Sequence, residues 1–144
     1  MSGNGMTRDE PVLSNIVDEW AVIKPCLDKL CADNPEFGLK SEHVYDTCTA
    51  DEANLWMAPE GFIVTRFVTD DDTGVRTLFM WVACSYERSR DVGAMYLPFF
   101  EEVGKYMHCR YIEAWSSREG MERYLAKQNY KLFYRSFRKE LHDG

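Results

Sequence analysis

The sequence lacks the long apolar segments that mark membrane-spanning and secreted proteins. Its longest apolar run, Thr77 to Cys84, is far shorter than the ~20 residues that a helix needs to cross a bilayer. No basic segment followed by an apolar one stands near the N-terminus, which argues against a secretion signal. We therefore expect a cytoplasmic protein with no membrane partner.

The cysteines lack the spacing of a metal site or of a disulfide framework. There are five, an odd number, and no two of them form a CxxC pair. We therefore predict no bound metal and no disulfide framework. His108 and Cys109 are adjacent, but neighbours in sequence rarely make a catalytic pair, so Cys109 is interpreted as a packed thiol beside a helix end.

Positive charge is scarce. The chain has 17 Lys and Arg against 24 Asp and Glu, a net charge of −7, which argues against a dedicated nucleic-acid binder. The positive charge that is present concentrates between Arg118 and Lys139, whereas the first 75 residues are acidic. This basic segment is either a solvated face or a site for an anionic partner such as a phosphate-bearing cofactor.

Apolar and aromatic residues are abundant enough for a folded domain. They make up 45% and 14% of the 144 residues, a length at which one domain buries about 70% of the surface of its unfolded chain. Residues 1–10 are small and polar, which predicts a flexible N-terminus. We expect a single domain over residues 11–144.

Two helices are predicted in the first third of the chain. Ser14 is a plausible N-cap for a helix whose apolar residues recur every three or four positions. Pro25 either kinks this helix or begins a new one, and Asn34-Pro35 ends it. Ser41 is the predicted N-cap of a second helix over His43 to Thr47.

Strands follow. A short one is predicted at Asn54 to Met57, and two longer ones at Gly61 to Thr69 and Arg76 to Cys84, which are rich in β-branched and aromatic residues. Asp70 to Gly74 lies between the long strands. Its three aspartates lack the alternating ligands and later Glu of a calcium loop, so a hairpin turn is predicted, with a positive φ at Gly74.

The rest of the chain alternates helices and strands. Val92 to Met107 has helical periodicity, but Pro98 predicts that the regular helix begins nearer to Leu97. A short strand ending at Trp115, a helix over Ser117 to Asn129 and a final alternating strand follow. The whole order of elements predicts an α/β fold with a mixed sheet.

This order resembles the GNAT (N-acetyltransferase) superfamily. The resemblance implies a mixed, largely antiparallel central sheet flanked by helices. Leu55-Trp56, Val64-Thr65 and the Arg118 to Arg123 run followed by Leu125 are similar to GNAT-like proteins of tailed phages and prophages. The resemblance thus implies a phage-encoded protein located in the host cytoplasm or in the virion.

In GNAT proteins a loop of the form Gln/Arg-x-x-Gly-x-Gly/Ala after the central strand holds acetyl-CoA. The corresponding segment here is Arg90-Asp91-Val92-Gly93-Ala94-Met95, so the resemblance implies that Arg90, Val92, Gly93 and Ala94 bind the cofactor. Successive backbone N–H groups at a helix start suit a pyrophosphate. Asp91 adds a negative charge there, and an ordinary polar loop with a glycine at the helix entry is the alternative.

Two residues are candidates for catalysis. Glu87 follows the central strand and could accept a proton from an amine through a water molecule. The family's general acid is a Tyr in the helix before the last turn, a position that falls on Leu125 here, with Tyr124 one residue earlier. The alternatives are that Glu87 is an ordinary loop carboxylate and that Tyr124 is a packing or surface aromatic.

Two functions are compatible with these residues. The first is an acyl-CoA-dependent N-acyltransferase that uses acetyl-CoA and an amine acceptor and has a partly degraded cofactor loop. The second is a non-catalytic GNAT-fold module that binds a phage or host protein, as a virion-associated or assembly component or as an inhibitor of a host factor. Fold alone does not decide between them.

Overall fold

The computed structural model describes residues 10–87 and 90–114, and residues 126, 127, 130 and 139 singly. The chain divides into two compact units, residues 1–114 and 115–144, and the elements below belong to the first. The predicted C-terminal helix and strand lie outside the described residues, apart from the helical residues 126 and 127. The single domain over residues 11–144 and the flexible N-terminus stay predictions.

The described residues form a five-stranded sheet whose spatial order follows the sequence. Its strands are β1 (Val12–Ser14), β2 (Asn54–Ala58), β3 (Gly61–Thr69), β4 (Arg76–Ser85) and β5 (Tyr111–Ala114). Strands β1 to β4 are antiparallel neighbours, and β5 runs parallel to β4. The predicted mixed, largely antiparallel sheet is therefore confirmed, whereas strand β1 was not predicted.

Helix α1 (Ile16–Asp33) begins one residue later than predicted. Asn15 is its N-cap, and the Asn15 side chain accepts a hydrogen bond from the Val17 amide at 2.8 Å. Ser14 is instead the last residue of β1, paired with Leu55 of β2. Pro25 lies inside the continuous helix, so the expectation that it could begin a new one is wrong, and the predicted end at Asn34 is confirmed.

The capping role of Asn15 can be tested by unfolding. We expect Asn15→Ala to lower the free energy of unfolding by about 1 kcal/mol, because an amide at the start of α1 loses its acceptor. Ser14→Ala is the matched control and should have the smaller effect, because the Ser14 hydroxyl donates to the Val12 carbonyl, at 2.9 Å, and does not cap α1. Urea denaturation of both variants measures the difference, and a larger loss in Ser14→Ala would restore Ser14 as the cap.

Helix α2 (Ser41–Thr49) packs beside α1. Its N-cap is Lys40 rather than the predicted Ser41, which is the first helical residue. The Ser41 hydroxyl donates to the Asp28 carboxylate of α1, and Lys24 pairs with the same carboxylate at 2.8 Å. These two partners, Lys24 first, lower the pKa of Asp28. Ser41 thus joins the two helices instead of capping one.

The two faces of the sheet carry different helices. Phe62 and Val64 of β3 pack in one cluster with Ile23 and Leu27 of α1. Because side chains alternate along a strand, residues between these positions face the other side, where α4 (Leu97–Tyr106) lies. There the Trp56 ring, opposite Ile63, makes an edge contact with Phe100 at 5.4 Å.

The long hairpin turn and the break before α4 agree with their sequence predictions. Gly74 has a φ of 73° and donates to the Asp70 carbonyl at 2.8 Å. The Asp70 side chain accepts from the Thr73 and Asp72 amides, which lowers its pKa. A short helix α3 (Val92–Met95) precedes α4, which starts at Leu97 as Pro98 predicted.

Within the described residues, no helix is both long enough and apolar enough to cross a membrane.

Candidate functional site

The end of strand β4 leads into the predicted cofactor loop. The parallel β4–β5 register runs from Thr77 opposite Tyr111 to Met80 opposite Ala114, which is the last residue described in β5. Strand β4 continues from Trp81 to Ser85, toward the loop that contains Arg90. This end of β4 is therefore the first part of the candidate site.

A β-bulge interrupts the pairing of β4 with β3. On the β3 side, Val64 pairs with Val82 but the next residue, Thr65, pairs with Met80, so Trp81 is the extra residue. Bulges occur next to active sites more often than elsewhere in sheets, because they redirect side chains and end pairing. No residue type in the apolar run around Trp81 predicts a bulge, and sequence reasoning missed it.

Because of the bulge, the buried side chains of β4 before and after Trp81 lie on opposite faces of the sheet. Val82 packs with the α1 cluster, and Trp81 contacts that cluster as well. The Trp81 ring meets His43 of α2 edge-on at 5.5 Å, and the Arg66 guanidinium lies 4.9 Å above it. Leu78, before the bulge, instead faces Gly104 of α4. Both halves of β4 are therefore buried, on opposite faces, which explains its uninterrupted apolar sequence.

The structure brings the predicted base and the predicted cofactor-binding arginine together. Glu87 lies past the end of β4, in the loop, and its carboxylate is 3.9 Å from the Arg90 guanidinium. The Arg90 amide also donates to the Glu87 carbonyl at 3.2 Å. Both side chains are largely exposed, 72% for Glu87 and 55% for Arg90, so their ion pair contributes little to stability.

Two of the amides predicted to hold a pyrophosphate, at the start of α3, donate to side chains of the protein. Asp91 is the N-cap, and its carboxylate accepts from the Ala94 amide at 3.0 Å. The Val92 amide donates to the Ser85 hydroxyl at 2.9 Å. At Gly93, a Cβ atom would lie 3.1 Å from the Ala83 Cβ, so this glycine lets α3 approach β4 closely.

These residues fit an acyl-CoA pyrophosphate in part. The exposed Arg90 guanidinium suits a phosphate group, and Gly93 keeps the backbone of α3 close to Ala83 of β4. The Asp91 carboxylate does not fit, because it places a negative charge on the Ala94 amide where the phosphates are expected. Met95 is 41% exposed, so its side chain is not buried in this region.

A hydrogen-bonded pair that sequence reasoning missed connects three loops around the site. The Tyr96 hydroxyl, at the α3–α4 junction, donates to the Glu60 carboxylate at 2.6 Å. Glu60 lies in the β2–β3 turn, and its carbonyl accepts from the Tyr86 amide at 2.9 Å, just after β4. Glu60 and Tyr96 are 36 positions apart in the sequence, and no local signal predicts the pair.

The cysteines described here are packed thiols. Burial raises the pKa of Cys48 to about 11, and it also raises the pKa of Cys84 and Cys109. Such thiols stay protonated at neutral pH and are poor nucleophiles. Within the described ranges, no group of three or more His, Cys, Asp or Glu residues could hold a metal ion. Tyr124 lies outside the described residues, and its catalytic role stays a prediction.

Comparison with known proteins supports the fold. Neither a family model nor a curated protein matches the sequence significantly. Among solved structures, an acetyltransferase from Trypanosoma brucei superposes with a TM-score of 0.67 at 14% identity, over 93% of this chain and 100% of that one.

Two further structures are similar to the same degree. The ribosomal-protein-alanine N-acetyltransferase of Brucella melitensis biovar Abortus 2308 has a TM-score of 0.65 at 12% identity, over 94% of this chain and 100% of that chain. A transcriptional regulator from Bacillus halodurans C-125 has a TM-score of 0.67 at 12% identity, over 93% and 100% of the two chains. The chain therefore has the GNAT-like fold of structurally characterised acetyltransferases.

Proposed function

We propose that the protein is an acyl-CoA-dependent N-acyltransferase with a weakened cofactor loop. The observation that carries the proposal is the start of α3, where Gly93 packs closely against Ala83 of β4 and the Arg90 guanidinium is exposed. The bulge at Trp81 lies two residues before Ala83 in the same strand. Arg90 and the backbone of α3 would hold the phosphate groups of an acyl-CoA here.

The chain's own residues have separable roles in this proposal. Acyl-CoA supplies an acyl group activated as a thioester. The Arg90 guanidinium binds phosphate oxygens, which loosens its 3.9 Å contact with Glu87. Glu87 then accepts the proton that the amine acceptor loses, directly or through water. Tyr124, by resemblance alone, donates a proton to the leaving group.

The test of the cofactor site is a calorimetric titration with acetyl-CoA. We expect the wild-type protein to bind weakly and Asp91→Ser to bind about tenfold more tightly, which corresponds to about 1.4 kcal/mol. The reason is that serine keeps the N-cap hydrogen bond to the Ala94 amide but removes the carboxylate that repels the phosphates. Asp71→Asn, which removes one charge from the exposed β3–β4 turn, is the matched control and should leave the affinity unchanged.

A second variant locates the cofactor. Arg90→Glu reverses an exposed charge and should abolish binding while leaving the thermal unfolding of the protein unchanged. If neither the wild-type protein nor Asp91→Ser binds acetyl-CoA up to millimolar concentration, the acyltransferase proposal is wrong. Measurable binding justifies a screen of amine acceptors.

The second candidate function is a non-catalytic module with the same fold. The N-cap residue Asp91 favours this candidate. Its carboxylate accepts a hydrogen bond from the Ala94 amide, which suits the start of a helix but repels a phosphate group. In this case the protein binds a phage or host protein, and its origin in a tailed phage or prophage stays a prediction of the sequence resemblance.

A further inference from the structure

Strand β1 lies at the outer end of the sheet that the described residues form. It pairs with β2 alone among the described strands, and it is the strand farthest from β5 in the sheet order. Its first two side chains are strongly exposed, Val12 at 63% and Leu13 at 59%. An edge strand with unpaired N–H and C=O groups and exposed apolar side chains is a template for one more strand.

A groove of about 380 Å³ runs along the α1 side of this edge. It is lined by Glu10, Val12, Ser14, Glu19, Met57, Ala58 and Pro59. Val12 and Ser14 are two residues apart on β1, so their side chains share this face, and Met57 pairs with Val12 and packs on the α1 cluster. The floor of the groove is therefore mainly apolar and continuous with the core.

The rim of the groove is negatively charged. Glu10 precedes β1, and Glu19 lies in the first turn of α1. Neither carboxylate has an ion-pair partner in the part of the chain that the structure describes. A second copy of the protein pairing through β1 would bring two such rims together, so the charge favours a cationic occupant over a dimer.

The other side of the same edge is apolar. Leu13 faces away from α1, opposite Trp56 of β2. The Trp56 ring in turn packs on Phe99 and Phe100 of α4. A strand added to β1 would therefore have some side chains on the α1 side, where Glu10 and Glu19 lie, and its alternate side chains on the apolar side beside Leu13.

We propose that β1 binds an extended segment of a partner protein in which basic and apolar residues alternate. The segment adds a strand to the sheet, so main-chain hydrogen bonds to β1 provide affinity, and the two faces provide specificity. Its basic side chains lie beside Glu10 and Glu19, and its apolar side chains lie beside Leu13. The proposal uses no residue of the cofactor loop and holds whether or not the protein is an enzyme.

The experiment uses the full chain and a synthetic peptide of about ten alternating lysine and valine residues, with both ends capped. Calorimetry gives the affinity, and amide chemical shifts locate the binding. We expect saturable binding with the largest shifts in β1, and about tenfold weaker binding of a peptide with the same lysines and valines in two separate blocks.

Variants of the chain assign the interaction to this edge. The double variant Glu10→Lys, Glu19→Lys should bind the alternating peptide about tenfold or more weakly than the wild-type protein, and Leu13→Lys should also bind it more weakly. Glu52→Lys, an exposed residue between α2 and β2, is the matched control and should leave the affinity unchanged. Thermal unfolding of each variant shows that it is folded.

Four outcomes would overturn the proposal. Equal affinity for the alternating and block peptides would mean unspecific electrostatic attraction, and unchanged affinity in the double variant would place binding elsewhere. Binding that requires removal of residues 1–9 would assign the edge to the chain's own N-terminal segment. A concentration-dependent dimer lost in Leu13→Lys, without peptide binding, would assign it to a second copy.

Discussion

Replacing Gly61 with alanine is expected to lower the free energy of unfolding by about 3 kcal/mol and the melting temperature by about 10 °C. A Cβ atom on Gly61 would lie 2.1 Å from the Cys84 carbonyl oxygen and 3.0 Å from the Ser85 Cα. These are backbone atoms of the neighbouring strand, so no side-chain rotation relieves the contact. Strands β3 and β4 must separate where Gly61 pairs with Ser85.

The same change should reach the cofactor loop, because the Ser85 hydroxyl accepts from the Val92 amide at 2.9 Å. Thermal and urea unfolding measure the stability, and the amide shift of Val92 reports on the loop. Gly104→Ala is the matched control. Its Cβ would meet Leu78 at an ordinary 3.7 Å, and alanine favours the helix, so stability should stay level or rise. If Gly61→Ala unfolds like the wild-type protein, β3 and β4 do not approach so closely.

Replacing Phe100 with alanine is expected to lower the free energy of unfolding by about 4 kcal/mol. Phe100 is fully buried between α4 and the sheet, and its ring meets those of Phe99 at 5.1 Å and Trp56 at 5.4 Å. Alanine loses these contacts and leaves a cavity. A lower urea midpoint with an unchanged denaturant slope is the expected signature.

Two further substitutions control this prediction. Phe37→Ala removes the same side chain from a position that is 48% exposed and should have an effect below about 1 kcal/mol. Phe100→Leu keeps most of the volume and should lose about 1 kcal/mol, so a folded protein is available even if Phe100→Ala does not fold. Equal losses for Phe37→Ala and Phe100→Ala would contradict the described core.

The elements that sequence could predict are those with local signals. Three such predictions agree with the structure, and each rests on the backbone preference of one residue or its neighbour. They are the turn at Gly74, the helix end at Asn34 before a proline, and the helix start set by Pro98. Strand β1 has three residues and no alternating pattern, and its pairing with β2 defines it. That pairing also takes Ser14 into the sheet and leaves Asn15, an equally good capping residue, to begin α1.

The contacts of the predicted cofactor loop could not be derived from the sequence. Resemblance predicts a cofactor role for the loop that begins at Arg90, and the sequence alone shows that Asp91 adds a negative charge there. The partners of the loop amides depend on packing, since the Ser85 hydroxyl reaches the Val92 amide only because β4 ends where it does. The Trp81 bulge depends on the register between two strands, which no single residue determines.

The bulge also means that β4 tolerates neither the loss nor the gain of a residue. Deleting Trp81 would restore uninterrupted β3–β4 pairing. It would, however, either shift the loop after β4 by one residue toward the sheet or move Val82 and Cys84 from the α1 face to the α4 face. Inserting one residue in the exposed turn at Asp71 would displace neither strand. Relatives of this protein should therefore vary freely in the length of that turn and keep the number of residues between Leu78 and Ser85 constant.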